Sequence, residues 1–320
     1  RAGLRGASCT LPVVEVLRGL GSLPLKAEGT AVTVGFFDGV HRGHQAVLRR
    51  TVEVAEGRGL NSVAVTFDRH PREILTPGSE PLLLTKTERK AGLIGALGLE
   101  ALLILAFTEE FSRWSPEEFV ERVLVEGLHA RHAVVGANFT FGHRAMGNFA
   151  VLNGLGAAHG FSVDGVALVK IGERPVSSSS IREALAAGDI EWPTEALGRR
   201  YVVDGVVTPG AGRGAGLGYP TANLDVPPRM LLPGEGVYAG KAHVGDDAYV
   251  AAVNVGTNPT FGNEPLHLEA FLLDFEGDLL GRAMGVELWE RLRDEARFES
   301  AEDLARQIKE DVERTRALVS

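Results

Sequence analysis

Gly35-Phe36-Phe37-Asp38-Gly39-Val40-His41-Arg42-Gly43-His44 closes the apolar run Ala31 to Phe36 and opens an amphipathic segment, Gly43 to Glu56. A buried strand that turns through glycines into a helix is the first half of a βαβ unit. The helix start presents unpaired N–H groups and the positive end of its dipole, which favours a phosphate. His41 and His44 bracket that start, and imidazoles there can donate hydrogen bonds to charge developing on phosphorus oxygens. Gly43 removes a side chain between them, so a nucleotide can approach closely. Two exposed loop histidines are the plainer alternative; their place between a buried strand and a helix favours the functional reading.

The same rhythm continues outward. Ser62 to Phe67, Ala101 to Phe107, Ala133 to Gly136 and Phe161 to Leu168 read as further parallel strands. Helices are predicted at Lys86 to Leu97, Pro116 to Glu126, Phe149 to His159 and Ile181 to Ala187, and Ser115-Pro116-Glu117-Glu118 supplies an N-cap, an N1 proline and a capping glutamate. After Gly188 the pattern changes to short β-branched runs: Tyr201 to Val207, Gly236 to Val244, Tyr249 to Val255, His267 to Phe275 and Met284 to Leu292. These predict a compact antiparallel barrel. Ser300 to Leu318, with a capping-box-like start and Leu304, Ile308, Val312 and Thr315 at helical spacing, predicts one closing helix. The boundary is expected between Gly188 and Gly198, where Trp192-Pro193-Thr194 interrupts both patterns, and the first 29 residues are weakly informative.

Composition narrows the classes. A chain of 320 residues suggests two domains at about 150 residues each. Hydrophobic residues at 44% and charged residues at 23% describe an ordinary globular protein, not a disordered one. Glycine, at 40 residues against about 22 from ordinary usage, fits loops that wrap phosphates. Net charge of −9 and a pI near 5.6 oppose general nucleic-acid affinity. The single Cys9 excludes an internal disulfide or a CxxC metal site. Leu93 to Phe107 is too short for a bilayer span and reads as a buried helix end followed by a strand, so no membrane partner is expected. Cytoplasm is the expected compartment; Arg1 starts no signal-like segment and reads as a fragment or processed start. Homo-oligomerisation is compatible with the sequence and unspecified by it.

A second phosphate constellation runs from Thr208 through Pro209-Gly210-Ala211-Gly212-Arg213-Gly214-Ala215-Gly216-Leu217-Gly218 to Tyr219. It satisfies a GxGxxG/A pattern, yet Pro220, Pro227 and Pro228 oppose the helix a dinucleotide fold requires, and the GK[ST] ending of a Walker loop is missing. What survives is a donor-rich loop able to wrap an oligophosphate, with Gly212, Gly218 and Arg213 among its elements. The adjoining Pro220-Thr221-Ala222-Asn223 sets two oxygen ligands on one side of an extended segment, a set suited to Mg²⁺. Glu269, in the middle of an apolar strand, needs a partner or a polar cleft. Asp274-Phe275-Glu276-Gly277 imitates a kinase DFG string, but Glu276 is inserted and no catalytic-loop pattern accompanies it.

In the first half, Ser177, Ser178, Ser179 and Ser180 precede a helix and supply hydroxyl and N–H donors; a capping box explains one or two of the four. Arg182 adds a positive fork suited to β and γ phosphates. Asn138, at a predicted strand end, either orients a phosphate or makes a turn before Phe139.

His41-Arg42-Gly43-His44 resembles the HxGH signature of nucleotidylyltransferases, and the longer string from Gly35 resembles prokaryotic FAD synthetases. Thr66-Phe67-Asp68-Arg69-His70-Pro71, Gly136 to Gly142 and Ser177 to Arg182 follow in order, with Arg69 where the family commonly has proline. Pro220-Thr221-Ala222-Asn223 is similar to the PTAN signature of riboflavin kinases, and the likeness continues through Gly236 to Gly240, Asn254 to Phe261 and His267 to Phe275. The resemblance implies an α/β plus β architecture. A Rossmann-like nucleotidylyltransferase domain with a parallel sheet would span 1–190, and a small antiparallel β-barrel kinase domain with a closing helix 191–320. It implies a bifunctional enzyme that makes FMN from riboflavin and ATP, then FAD and pyrophosphate from FMN and ATP. Flavins and ATP would be its small-molecule partners and Mg²⁺ its metal.

In that reading Glu269 is the general base, Thr221 and Asn223 hold metal–ATP, and His41, His44 and Arg182 stabilise transferred charge. Gly35, Phe36, Asp38, Gly43 and the serines Ser177 to Ser179 bind ATP phosphates, whereas Asn138, Arg293 and Phe298 face flavin. Two other readings compete: an adenylyltransferase whose barrel merely binds flavin, and a non-enzymatic flavin-responsive or RNA-binding protein. The intact Thr221, Asn223 and Glu269 set opposes the first, and the acidic balance opposes RNA.

Overall fold

The structure is a computed structural model that describes residues 14–20, 28–210, 218–257 and 266–319. It divides into two compact units.

The first unit is built on a six-stranded parallel sheet: β1 (Glu15–Arg18), β2 (Thr30–Val34), β3 (Asn61–Phe67), β4 (Ala101–Leu105), β5 (Ala130–Gly136) and β6 (Ser162–Val166). Their order is β1-β4-β3-β2-β5-β6. Every residue of β2 and β4 is buried, as expected of strands covered on both faces by crossover helices. The core collects Val32, Val63, Leu103, Val123, Leu124 and Leu152. The helix Arg42–Arg58 ends where Gly59 takes a left-handed conformation, φ 67°. Ser115 and Glu118 form the expected reciprocal cap, but the helix it starts, Pro116–Phe119, continues as a π-helical stretch, Val120–Gly127. A short hairpin follows, β7 (Lys170–Ile171) and β8 (Arg174–Pro175).

The second unit contains a closed six-stranded antiparallel barrel: β9 (Tyr201–Thr208), β10 (Ala222–Asp225), β11 (Gly236–Val244), β12 (Asp247–Gly256), β13 (His267–Leu272) and β14 (Ala283–Arg293). Alternating burial along β9 and β13 marks one face toward the interior. Gly240 is required by close packing, since a Cβ there would lie 2.3 Å from the Glu287 carbonyl oxygen. The closing helix, Ala301–Leu318, is capped by Ser300, whose Oγ accepts from the Asp303 N–H at 3.1 Å. Arg316 ties that helix to Asp274 with two hydrogen bonds of 2.6 and 2.9 Å.

Further features differ from the sequence reading. β1 forms although the first 29 residues carry little pattern; it pairs in parallel with β4 as an edge strand. Trp192-Pro193-Thr194 does not interrupt structure but lies inside a helix, Glu191–Leu197. Pro193 sits in its first turn, where a missing N–H removes no intrahelical bond, and Asp189 accepts from the Trp192 N–H at 3.2 Å. Leu82–Leu84 and the helix Ser178–Ala186 group with the barrel unit, in which Leu83 bridges Met230.

Leu103 is completely buried in the sheet core. Leu103→Ala is expected to lower unfolding free energy by about 2–5 kcal/mol, read from the urea midpoint at constant m.

Candidate functional site

In the parallel sheet β2 lies between β3 and β5, so the strand order reverses beside it. Open α/β sheets bind ligands at the carboxyl ends of strands at such a reversal. Two of the candidate segments emerge there: Gly35 to His44 after β2, and Ala137 to Phe139 after β5. Asn138 is exposed in the second, in a turn closed by a 2.9 Å bond from Phe139 N–H to the Gly136 carbonyl.

The first segment is a tight, strained turn, with positive φ at Phe37 (53°), Gly39 (79°) and Val40 (41°). Its backbone is held from below. Gly35 N–H donates to the Val65 carbonyl at 3.0 Å, and the Phe36 carbonyl accepts from Thr66 Oγ1 at 3.1 Å. Asp38 is buried, and its Oδ1 accepts from the Thr85 N–H at 3.1 Å and hydroxyl at 3.3 Å; Gly39 N–H donates to Thr85 Oγ1 at 3.1 Å.

His41 is the N-cap of Arg42–Arg58: its Nδ1 accepts from the His44 N–H at 3.3 Å. A neutral His41 therefore carries its hydrogen on Nε2. The His41 and His44 rings stack, with centroids 3.6 Å apart and planes 17° from parallel. Phe37 meets the His44 ring edge-on at 5.3 Å. Burial, then the neighbouring His41, then Lys90, push the His44 pKa well below the ordinary imidazole value. His44 Nδ1 is shut off from solvent and has no hydrogen-bond partner. A Cβ on Gly43 would lie 3.1 Å from the His41 ring and 3.7 Å from the Val176 carbonyl oxygen, so the chain entering Ser177 passes beside the histidines.

Ser178 and Ser179 occupy the first turn of Ser178–Ala186, and Arg182 follows on that helix with its Nε donating to the Leu82 carbonyl at 2.6 Å. The Thr66 to Pro71 stretch builds the wall beside Phe36. His70 packs edge-on against Phe36 at 4.9 Å, and Asp68 accepts from the Phe107 N–H at 2.9 Å. Arg69 turns outward to pair with Asp68 at 3.2 Å.

Lys90 escaped the sequence reading. It is buried, with Nζ 3.1 Å from the Phe36 carbonyl, 3.3 Å from Thr66 Oγ1 and 4.5 Å above the Phe36 ring. Burial pushes its pKa down to about 8 and Asp38 partly restores it, so the group is charged at neutral pH. The available signal was a lysine at the position that Ala91 and Ile94 define as the buried face of its helix.

In the barrel, Glu269 on β13 is paired across the sheet with Asn223 of β10 and Asn254 of β12. Its Oε2 accepts from the Thr221 hydroxyl at 3.0 Å. Both line a cavity of about 340 Å³ whose walls include Tyr219, Phe271, Arg293 and Phe298. Arg293 is locked by three bonds of 2.7–3.1 Å to the Asp311 carboxylate of the closing helix, with its guanidinium 5.8 Å from the Phe298 ring. Tyr219 and Phe271 meet edge-on at 5.3 Å. Asn223 presses on Gly210: a Cβ there would stand 1.7 Å from the Asn223 amide nitrogen. Gly218 has φ 85°, while Gly212 and Arg213 lie outside the described residues.

A histidine pair thus stands at the reversal of a parallel sheet, and a carboxylate–hydroxyl–amide row stands in a separate barrel. Residues 23–180 match the FAD synthetase family and residues 197–319 the riboflavin kinase family. The bifunctional riboflavin kinase/FMN adenylyltransferase of Pseudomonas fluorescens is 39% identical over 96% of this chain and 98% of its own length. That of Bacillus subtilis is 36% identical over 88% and 90%. A solved structure from Streptococcus pneumoniae, described as a macrolide-efflux protein, has a TM-score of 0.85 at 29% identity and covers 95% of this chain and 99% of its own. The chain belongs to the bifunctional riboflavin kinase/FMN adenylyltransferase family. Among the described residues no helix is long and apolar enough to cross a membrane.

Lys90→Met removes a donor from the Phe36 carbonyl and the positive charge near buried Asp38, so it is expected to lower stability at neutral pH by about 1–3 kcal/mol. FAD formation from FMN should fall at least about tenfold as the Phe36 turn loosens, measured by urea unfolding and product chromatography side by side. For His44, the unfolded imidazole takes up a proton near the ordinary pKa of 6.5 and the folded one only well below it. The unfolded chain therefore binds more protons in that window, and stability falls as pH drops through it. His44→Gln should show a shallower acid-side loss of unfolding free energy than the parent.

Proposed function

We propose that the chain converts riboflavin to FMN in the barrel and FMN to FAD at the parallel sheet, using ATP in both steps. The observation that carries the first step is Glu269: a carboxylate at the centre of a strand, held by Thr221 at 3.0 Å, on the wall of a cavity of flavin-compatible size, about 340 Å³.

Glu269 takes the proton of the riboflavin 5′-hydroxyl as that oxygen attacks the γ-phosphorus of ATP. The new O–P bond forms, the bond to the β-phosphate oxygen breaks, and FMN and ADP leave. Tyr219, Phe271 and Phe298 supply aromatic surface for the isoalloxazine ring, and Arg293, fixed by Asp311, is held in place beside it. Thr221 donates its hydrogen to Glu269, which leaves its oxygen lone pairs for a hard cation, and Asn223 adds a second oxygen beside the phosphate loop. Thr221 and Asn223 would hold Mg²⁺, which supplies neutralisation of phosphate charge when bound. Gly218, at φ 85°, stands just ahead of Thr221, and the triphosphate role expected of Gly212 and Arg213 falls outside the described residues.

At the sheet, an FMN phosphate oxygen attacks the α-phosphorus of ATP and pyrophosphate departs. His41 Nε2–H donates to the α-phosphate oxygens, and His44, kept neutral by its surroundings, avoids a second positive charge against the stacked ring. Gly35, Phe36, Asp38 and Gly43 shape the turn that receives the nucleotide. Ser177 binds the departing phosphates, a role the sequence also suggests for Ser178, Ser179 and Arg182, and Asn138 orients FMN.

The two steps are expected to fail separately. Glu269→Gln should lower riboflavin phosphorylation by roughly 10²–10⁴-fold and leave FMN adenylylation within about a factor of two. His44→Ala should do the reverse. Time-resolved chromatography of flavin products checks both, and parallel loss of both reactions in folded variants would overturn the division.

A further inference from the structure

Glu269 has a neighbour to which neither reaction gives a role. β13 begins at His267, two residues before Glu269 and so on the same strand face. His267 Nε2 lies 3.4 Å from Glu269 Oε1, while Thr221 engages the other oxygen, Oε2, at 3.0 Å. Both His267 and Glu269 keep about a quarter of their side-chain surface exposed, at 27% and 28%. The pair therefore stands at a rim, not in a closed core. A carboxylate only accepts, so the imidazole meets it as an Nε2–H donor. At 3.4 Å the contact is longer than a formed hydrogen bond, as catalytic contacts commonly are before substrate arrives.

Rotation about the last side-chain torsion of a glutamate is broad, and one hydroxyl contact leaves that rotation weakly fixed. A second donor on the opposite oxygen removes it. Across the sheet, Gly256 pairs with His267 and offers no side chain to serve instead. The neighbouring carboxylate, Glu295, points its Oε1 to the Asn254 amide at 3.1 Å. Among the described residues His267 is the cationic or donor group that this geometry sets against Oε1.

We propose that His267 is a positioning residue for riboflavin phosphorylation: it fixes the rotation of the Glu269 carboxylate from the side opposite Thr221, so that the base faces the attacking hydroxyl. The inference rests on Glu269 being the base.

The test uses the full chain with riboflavin, ATP and Mg²⁺. It compares the parent with His267→Ala, His267→Gln and Glu269→Gln, measures kcat and KM for each, and follows riboflavin binding by quenching of flavin fluorescence. Riboflavin binding reports folding of the barrel, and FMN adenylylation by the same preparations reports folding of the sheet unit. His267→Ala should lose about 5- to 20-fold in kcat for phosphorylation, with KM for ATP and riboflavin affinity within about twofold. His267→Gln, whose amide N–H can replace Nε2–H, should recover most of that rate. Parent-like kcat in His267→Ala, with Glu269→Gln inactive, overturns the inference and leaves the base intact. Equal losses in His267→Ala and His267→Gln overturn it in favour of packing alone. Phosphorylation that persists in Glu269→Gln overturns the base assignment and the inference with it.

Discussion

The chain leaving β2 turns sharply straight out of a strand buried on both faces, where any unpaired backbone group is expensive. Thr85, Thr66 and Lys90 meet that demand. They hold the Asp38 carboxylate, the Gly39 N–H and the Phe36 carbonyl, and so allow Phe37, Gly39 and Val40 to sit at positive φ. Once the turn is fixed, His41 falls at the N-cap and His44 one turn in, stacked on it. The placement of the two histidines is thus a consequence of a backbone conformation secured from three other segments.

The barrel solves a related problem differently. A carboxylate in a closed sheet is tolerable only where its oxygens are engaged or wet. β10 is a four-residue strand inserted between β9 and β13, and it brings Asn223 opposite Glu269 with Thr221 just ahead. Closure of the barrel makes that row rigid, while the last helix contributes Asp311 to lock Arg293 and Leu304 and Ile308 to the cavity wall. One rigid surface therefore carries both the aromatic wall and the polar row.

Much of this was legible in the residues. Phe149–His159 and β11 match their expected bounds end for end, because Asn148 and Gly160 cap the helix and the strand's pattern is uninterrupted. Other parts were hidden for identifiable reasons. β1 is four residues at a sheet edge, too short for periodicity to speak. Pro193 looked like a breaker because a first-turn proline is recognised only when the helix start is known. Lys90 by itself gave no signal, since a lysine is almost never buried without partners and its partners are a carbonyl and a threonine distant in sequence. His267 opens its strand, where a polar residue suggests only an exposed face.

The grouping of Leu82–Leu84 with the barrel unit has a bearing on how the chain is made. Leu83 donates to the Arg229 carbonyl and accepts from Leu231 N–H, so these contacts must wait until residues nearly 150 positions downstream have left the ribosome. A biosynthetic picture of two beads completed one after the other does not suit such a molecule. The earlier-made half holds three leucines in reserve, and a recombinant barrel cut out at the interdomain stretch would lack the segment that pairs with Arg229–Leu231.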